Sequence, residues 1–267
     1  MLRSIYLKGL RDQRRSLLLW ALGIAAFAAV EFAVYPAVRK SAGVLDQYVK
    51  NLPKAFKHAF LGSNLDFGSP AGFLNAEMFS FMSPVIFLVF AIGAGARAVA
   101  GEEEAGTLDL LVSCPVSRRD IVLQKFSVVA TGVAALTLTL FASLAIGAAV
   151  ANMRVATSML LQASMLVGLL ALTFGAVAFA AAGYSGRRAT GIAVASGLAV
   201  ALYLLNALGQ LVDAIDPFRK FSFFYYYRGG DTLSRGLDAA NGAVFLVATV
   251  MLLAAALVGF ERRDLRS

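Results

Sequence analysis

The chain is poor in the residues from which soluble active sites are built. Its 267 residues include one histidine, one cysteine and one tryptophan, and only 15% are charged, against roughly 25% in soluble domains. His58 has no second imidazole or thiolate with which to form a metal site or a catalytic pair, so it reads as surface decoration. The single Cys114 excludes an intrachain disulfide and reads as a small apolar filler. No Gly-x-x-x-x-Gly-Lys-Ser/Thr string occurs, so no phosphate-cradling loop is encoded. Three consecutive glutamates, Glu102, Glu103 and Glu104, point roughly 100° apart on a helix and cannot converge on one ion.

Apolar residues are abundant instead: 59% of the chain is hydrophobic and the mean hydropathy is +0.74. A bilayer core of roughly 30 Å is crossed by about 20 apolar helical residues. Six nearly uncharged runs approach or exceed that length, at about 17–35, 79–99, 127–151, 159–182, 192–212 and 243–260. The first is interrupted by Glu31 and closed by Pro36. These runs predict an all-α membrane protein of six transmembrane helices in a single transmembrane domain, residues 1–267, with both termini on one side. The first run is too long for the apolar region of a usual signal peptide and reads as a retained anchor.

The formal net charge of +8 would suggest nucleic acid in a soluble protein. Here the cations flank the apolar runs, and no basic and aromatic face for DNA or RNA is visible. Cytoplasmic loops of membrane proteins carry an excess of Lys and Arg. With the amino terminus inside, inner segments hold 14 of the 24 basic residues. The turn 183–189 contains Arg187 and Arg188 and no acid, while the opposite turn has only Arg154. Both termini are therefore expected in the cytoplasm and the chain in the plasma (inner) membrane.

Before the first span, Leu2, Ile5, Tyr6, Gly9 and Leu10 share one helical face and basic residues fill the remainder. That pattern predicts an amphipathic interface helix in the inner headgroup layer, or else a plain basic flank. The outer loop 36–78 is long enough for a short amphipathic helix around Leu52, Phe56 and Phe60. Between the fifth and sixth spans, Phe218, Phe221, Phe223, Phe224, Tyr225, Tyr226 and Tyr227 crowd one segment. Rings partition to the membrane interface, so this segment is either a re-entrant outer element or an aromatic belt. Ala91 with Gly95, and Ala171 with Gly175, have the spacing that lets helices approach closely. Thr137, Thr139, Asn206 and Gln210 could line a path or simply satisfy helix contacts.

The connection after the second span carries the most local information. Glu102 to Glu104 suit a helix start, where acids complement unpaired N–H groups, and Leu108, Leu111 and Val112 supply an apolar stripe. Pro115 stops that helix, and Ser117 with Asp120 three positions on forms a Ser-x-x-Asp cap ahead of Ile121. Such an element lies across a membrane face. The string Glu104-Ala-Gly106-Thr107-Leu108-Asp109-Leu110-Leu111, followed by Pro115-Val-Ser117-Arg118 and Lys125, resembles the ABC-2 type permeases, the membrane-spanning subunits of bacterial ABC exporters.

The resemblance implies that this connection is a coupling helix docking on a separate cytoplasmic ATPase subunit. Carried over by position, Glu102, Glu103 and Glu104 meet the rim of the ATPase groove, Gly106 allows close approach, Leu108 and Leu111 anchor, and Thr107 belongs to the same docking stretch. Pro115, Ser117 and Arg118 end the element. ATP and Mg then belong to the partner and this chain binds no cofactor. A second permease copy or homologue completes a translocation path, and membrane lipid surrounds it. The alternative is a secondary transporter or ion channel, which builds its site from broken helices or buried ion ligands. A membrane-embedded enzyme is a third reading, for which no convergent nucleophile and base are visible. Glu31 is the one acid inside a predicted span and a candidate for a substrate or coupling role.

Overall fold

A bilayer core offers backbone groups no water, so an apolar run of this length is stable there as a helix that satisfies its own N–H and C=O groups. The computed structural model describes residues 5–44, 47, 51–52, 68–104, 117–227 and 229–261, and among these it has six helices long and apolar enough to cross a membrane.

Helix α1 spans Ile5–Lys40, α2 Pro70–Leu74, α3 Met82–Glu104, α4 Arg118–Val150, α5 Thr157–Ser185 and α6 Arg188–Leu208. A π-helical turn, Asn75–Phe79, joins α2 to α3. After α6 come a 3-10 helix, Asp216–Phe221, then α7 (Phe223–Tyr226), α8 (Gly229–Arg235) and α9 (Ala239–Glu261). The long apolar helices are α1, the α2–α3 unit, α4, α5, α6 and α9.

Helix α5 is the hub. It packs on α3, α4, α6, α8 and α9, and Ser164, Val167, Leu170, Ala171, Thr173 and Phe174 are fully buried along it. Small residues permit this crowding. A side chain at Gly95 of α3 would strike the Gly175 carbonyl of α5, and one at Gly175 would meet the Ala91 carbonyl at 3.2 Å. The two small-residue pairs read from the sequence therefore face each other across the α3–α5 contact. Helix α1 packs chiefly on α4, with the Phe32 ring seated on Gly147, where any side chain would collide with it.

Polar residues inside these helices are satisfied locally. Thr137 donates to the Val133 carbonyl at 2.9 Å and Thr139 to the Ala135 carbonyl at 2.9 Å. The Thr173 and Thr249 hydroxyls bond at 3.1 Å across α5 and α9. Gln210 donates to the Asn206 carbonyl at 3.2 Å, and Asn206 Oδ1 accepts from Arg219 Nε at 3.4 Å.

Three boundaries differ from the sequence expectation. The basic amphipathic start is not a separate interface helix: it is continuous with the first span in α1, roughly 54 Å long at 1.5 Å per residue. It is held by α4, where Tyr6 N donates to Gln124 Oε1 at 3.2 Å and the Tyr6 and Thr131 hydroxyls meet at 2.9 Å. Pro36 does not end α1, which continues to Lys40.

Residues 70–78, expected in the outer loop, begin the second span. Ser69 Oγ accepts from Gly72 N at 3.1 Å and Pro70 occupies the first turn, a pairing that suits a helix start. Phe73, Leu74, Met78 and Phe79 are fully buried. The helix expected around Leu52 to Phe60, with His58, lies mostly outside the described residues.

The aromatic segment divides its rings. Phe224 is buried, its ring tilted against Phe174 at 5.8 Å and edge-on at 5.4 Å to Tyr203. Phe223 meets Phe174 at 5.7 Å. Phe218 and Phe221 are exposed. Ser222 sets this geometry, donating to the Leu202 carbonyl at 2.7 Å while accepting from Phe224 N at 3.1 Å.

Candidate functional site

Helices α1, α4 and α6 start, and α3, α5 and α9 finish, at one end of the bundle, as alternating spans require. The connection 105–116 leaves and re-enters at that end. Its residues Gly106, Thr107, Leu108, Leu111 and Pro115 lie outside the described residues, so the expected coupling helix does too. Its two attachment points are well described.

The first is the end of α3. The expectation that Glu102 to Glu104 open a new helix is not met, since they form the last turn of α3. Acids at a helix C-terminus face the negative end of its dipole. Glu104 offsets this by reaching another helix: its Oε1 accepts from the Arg188 backbone N–H at 2.9 Å. Helix α6 has Arg187 as its N-cap residue, with no side-chain cap from that position, and a carboxylate beside a helix N-terminus is favourable. Glu104 thus caps α6 from 84 positions away. The turn presenting this N-terminus is made by Gly186, which at φ +70° ends α5 in the left-handed region.

The second attachment is the start of α4, and here the cap read from the sequence is present. Ser117 is extended, its Oγ accepts from Asp120 N at 3.1 Å, and its hydroxyl donates to Asp120 Oδ2 at 2.7 Å. The next residue, Arg118, donates to the Phe260 carbonyl at 3.5 Å and so draws in the last turn of α9. Lys125, about two turns further, is buried. Both ends of the connection are therefore fastened to other helix ends, α6 through Glu104 and α9 through Arg118.

At the opposite end, Glu31 is half-buried on α1 and lies within electrostatic reach of Glu77 on the π turn. Glu77 was missed in the sequence because 36–78 was read as loop; the Ser69-Pro70 start signal could have found it. Glu31 is thus not the only acid in a spanning unit. Nearby, the Tyr227 hydroxyl donates to the Phe79 carbonyl at 2.8 Å and so ties the aromatic segment to the π turn. Burial pushes the Tyr227 phenol above its ordinary pKa.

Six long apolar helices, one of them, α5, buried among its neighbours with small residues at the closest contact, define a multi-pass membrane protein. The family model described as ABC-2 family transporter protein matches residues 3–265, and the chain belongs to that family. No curated protein matches it. The chain is accordingly a membrane component of an ABC transporter and not itself the catalytic subunit.

Proposed function

We propose that the chain is the permease subunit of an ATP-driven exporter in the plasma membrane. Two copies, or a copy and a homologue, form the translocation path, and separate cytoplasmic subunits bind ATP and Mg. Both termini lie in the cytoplasm, where Arg187 and Arg188 also sit. The segment 213–238 is then outside and re-enters the outer leaflet, which the inward Phe223 and Phe224 and the exposed Phe218 and Phe221 support.

The observation carrying this reading is the bond from Glu104 to Arg188. Force applied to residues 102–118 by a docked ATPase reaches α3 and α4 directly, and through this bond it reaches α6 as well. Leu108 and Leu111 are the anchors. Replacing both by Asp removes roughly 1.5 to 3 kcal/mol of apolar burial per residue, enough to dissociate a transient interface. The experiment is co-purification of the ATPase with the L108D/L111D variant, alongside a check of membrane insertion. Loss of the ATPase from a normally inserted variant is expected. An ATPase still bound, with transport at the wild-type rate, refutes docking through residues 102–111.

Glu31 and Glu77, within electrostatic reach of each other, favour the second reading, a secondary transporter or ion channel, because ionisable groups within a membrane mark ion paths. Glu31→Gln and Glu77→Gln would then abolish gradient-driven transport without ATP. An ATP-dependent rate untouched by either substitution leaves the exporter reading standing alone.

A further inference from the structure

An open crevice of about 460 Å³ runs between α1, α3 and α6 and borders the Glu104 cap at Arg188. Its wall changes character along its length. Gln13, Ser16, Arg97 and Arg188 gather at one end, while Val85, Val89, Phe90 and Val200 line the remainder. Arg97 and Val85 are 12 residues apart on α3, and Arg188 and Val200 are 12 apart on α6, which at 1.5 Å per residue is about 18 Å in each helix. That length matches one leaflet, about 15 Å or half of the bilayer core. Val89 and Val200 are 57% and 58% exposed, so the apolar stretch opens sideways.

The polar end is chemically incomplete. Among the described residues, neither the exposed Arg97 nor the half-buried Arg188 guanidinium has an ion-pair partner. Arg188 Nε, a donor, and Gln13 Oε1, an acceptor, are both buried without any hydrogen-bond partner. A buried unpaired polar group is costly. An occupant that completes this end carries an anion for the two arginines and a hydroxyl donor for Gln13, attached to a chain about one leaflet long.

We propose that the crevice binds an anionic membrane lipid whose headgroup combines a phosphate with a hydroxyl, one acyl chain lying along α3 and α6. On the proposed topology the headgroup sits at the cytoplasmic face. The site itself does not rest on ATPase docking, so its test uses neither nucleotide nor ATPase.

Trp20, the only tryptophan, lines the crevice and stacks edge-on with Phe90 at 5.8 Å, so its fluorescence reports the occupant. The full chain is placed in bilayers in which either phosphatidylglycerol or phosphatidylcholine carries brominated chains, and quenching of Trp20 is compared. Attraction to anionic lipid is worth roughly five-fold per basic residue, so two arginines predict enrichment of phosphatidylglycerol by roughly 25-fold.

The preference should fall to near unity in R97Q/R188Q. Inorganic phosphate and glycerol phosphate, which lack a chain, should not displace the brominated lipid. Equal quenching by the two lipids in the wild-type protein overturns the proposal, whatever the variant does. So does displacement by free phosphate, which would make this an anion site. Absence of quenching by either lipid also overturns it, because a second protein chain would then be closing the crevice.

Discussion

The carboxylate of Glu104, the last residue of α3, accepts a hydrogen bond at 2.9 Å from the backbone N–H of Arg188, the first residue of α6. One contact relieves two problems: an acid at the wrong end of its own helix and a helix start lacking a side-chain cap. It also makes the second and fifth spans a mechanical pair at the end from which residues 105–116 emerge.

Removing this cap should therefore be felt in α6. Glu104→Ala is expected to cost about 1 kcal/mol, the usual value of a lost N-cap. Thermal unfolding in detergent should register it, and hydrogen exchange at residues 188–191 should quicken. Glu104→Gln retains an acceptor oxygen and should lose less. Unchanged exchange at Arg188 in the alanine variant would show that the cap is not made in solution.

Close approach of α3 and α5 at Gly95 leaves no room for a side chain, since the Gly175 carbonyl occupies that space. Gly95→Ala is expected to destabilise by about 1 to 3 kcal/mol, as overpacking does, and Gly95→Leu to prevent assembly of the bundle. Gly23 has open space at the same position, so Gly23→Ala should be tolerated. A thermal midpoint that is the same for both alanine variants would contradict this packing.

Tyr227 and Phe79 join the aromatic segment to the second span through a 2.8 Å hydrogen bond. Tyr227→Phe keeps the ring but leaves the carbonyl without this donor, at a cost of about 1 kcal/mol. Limited proteolysis of the segment 213–238 should accelerate in the variant. No change in cleavage rate would mean that ring packing alone holds the segment.

Orientation is testable at two turns. In a Cys114→Ala background, Arg154→Cys should react with an impermeant thiol reagent added outside intact cells, whereas Arg187→Cys should react only after permeabilisation. Both positions are exposed, so access to each depends on its side of the membrane. The reverse labelling pattern would invert the topology.

Several local features were legible before any contact was known. The Ser117 and Asp120 cap was readable because its partners are three residues apart and the bond depends on little else. The Ser69-Pro70 signal is equally local, yet residues 70–78 read as loop because their apolar content is not a long unbroken run. Glu102 to Glu104 misled for a related reason. Acids favour a helix start, and nothing nearby in sequence reveals that Glu104 caps a helix 84 residues downstream.

By itself, the sequence determined the class of this protein: an all-helical chain of six spans with both ends on one side. A run of about 20 apolar residues in a bilayer has no backbone partner except itself, so its helix is decided locally. Only the tertiary structure decided that α5 is the hub, that Gly95 meets Gly175, that Glu77 comes within electrostatic reach of Glu31, and that Arg97, Arg188 and Gln13 share one crevice. Those relations join residues distant along the chain. They depend on which faces of nearly uniform apolar helices meet, and hydropathy does not distinguish one such face from another.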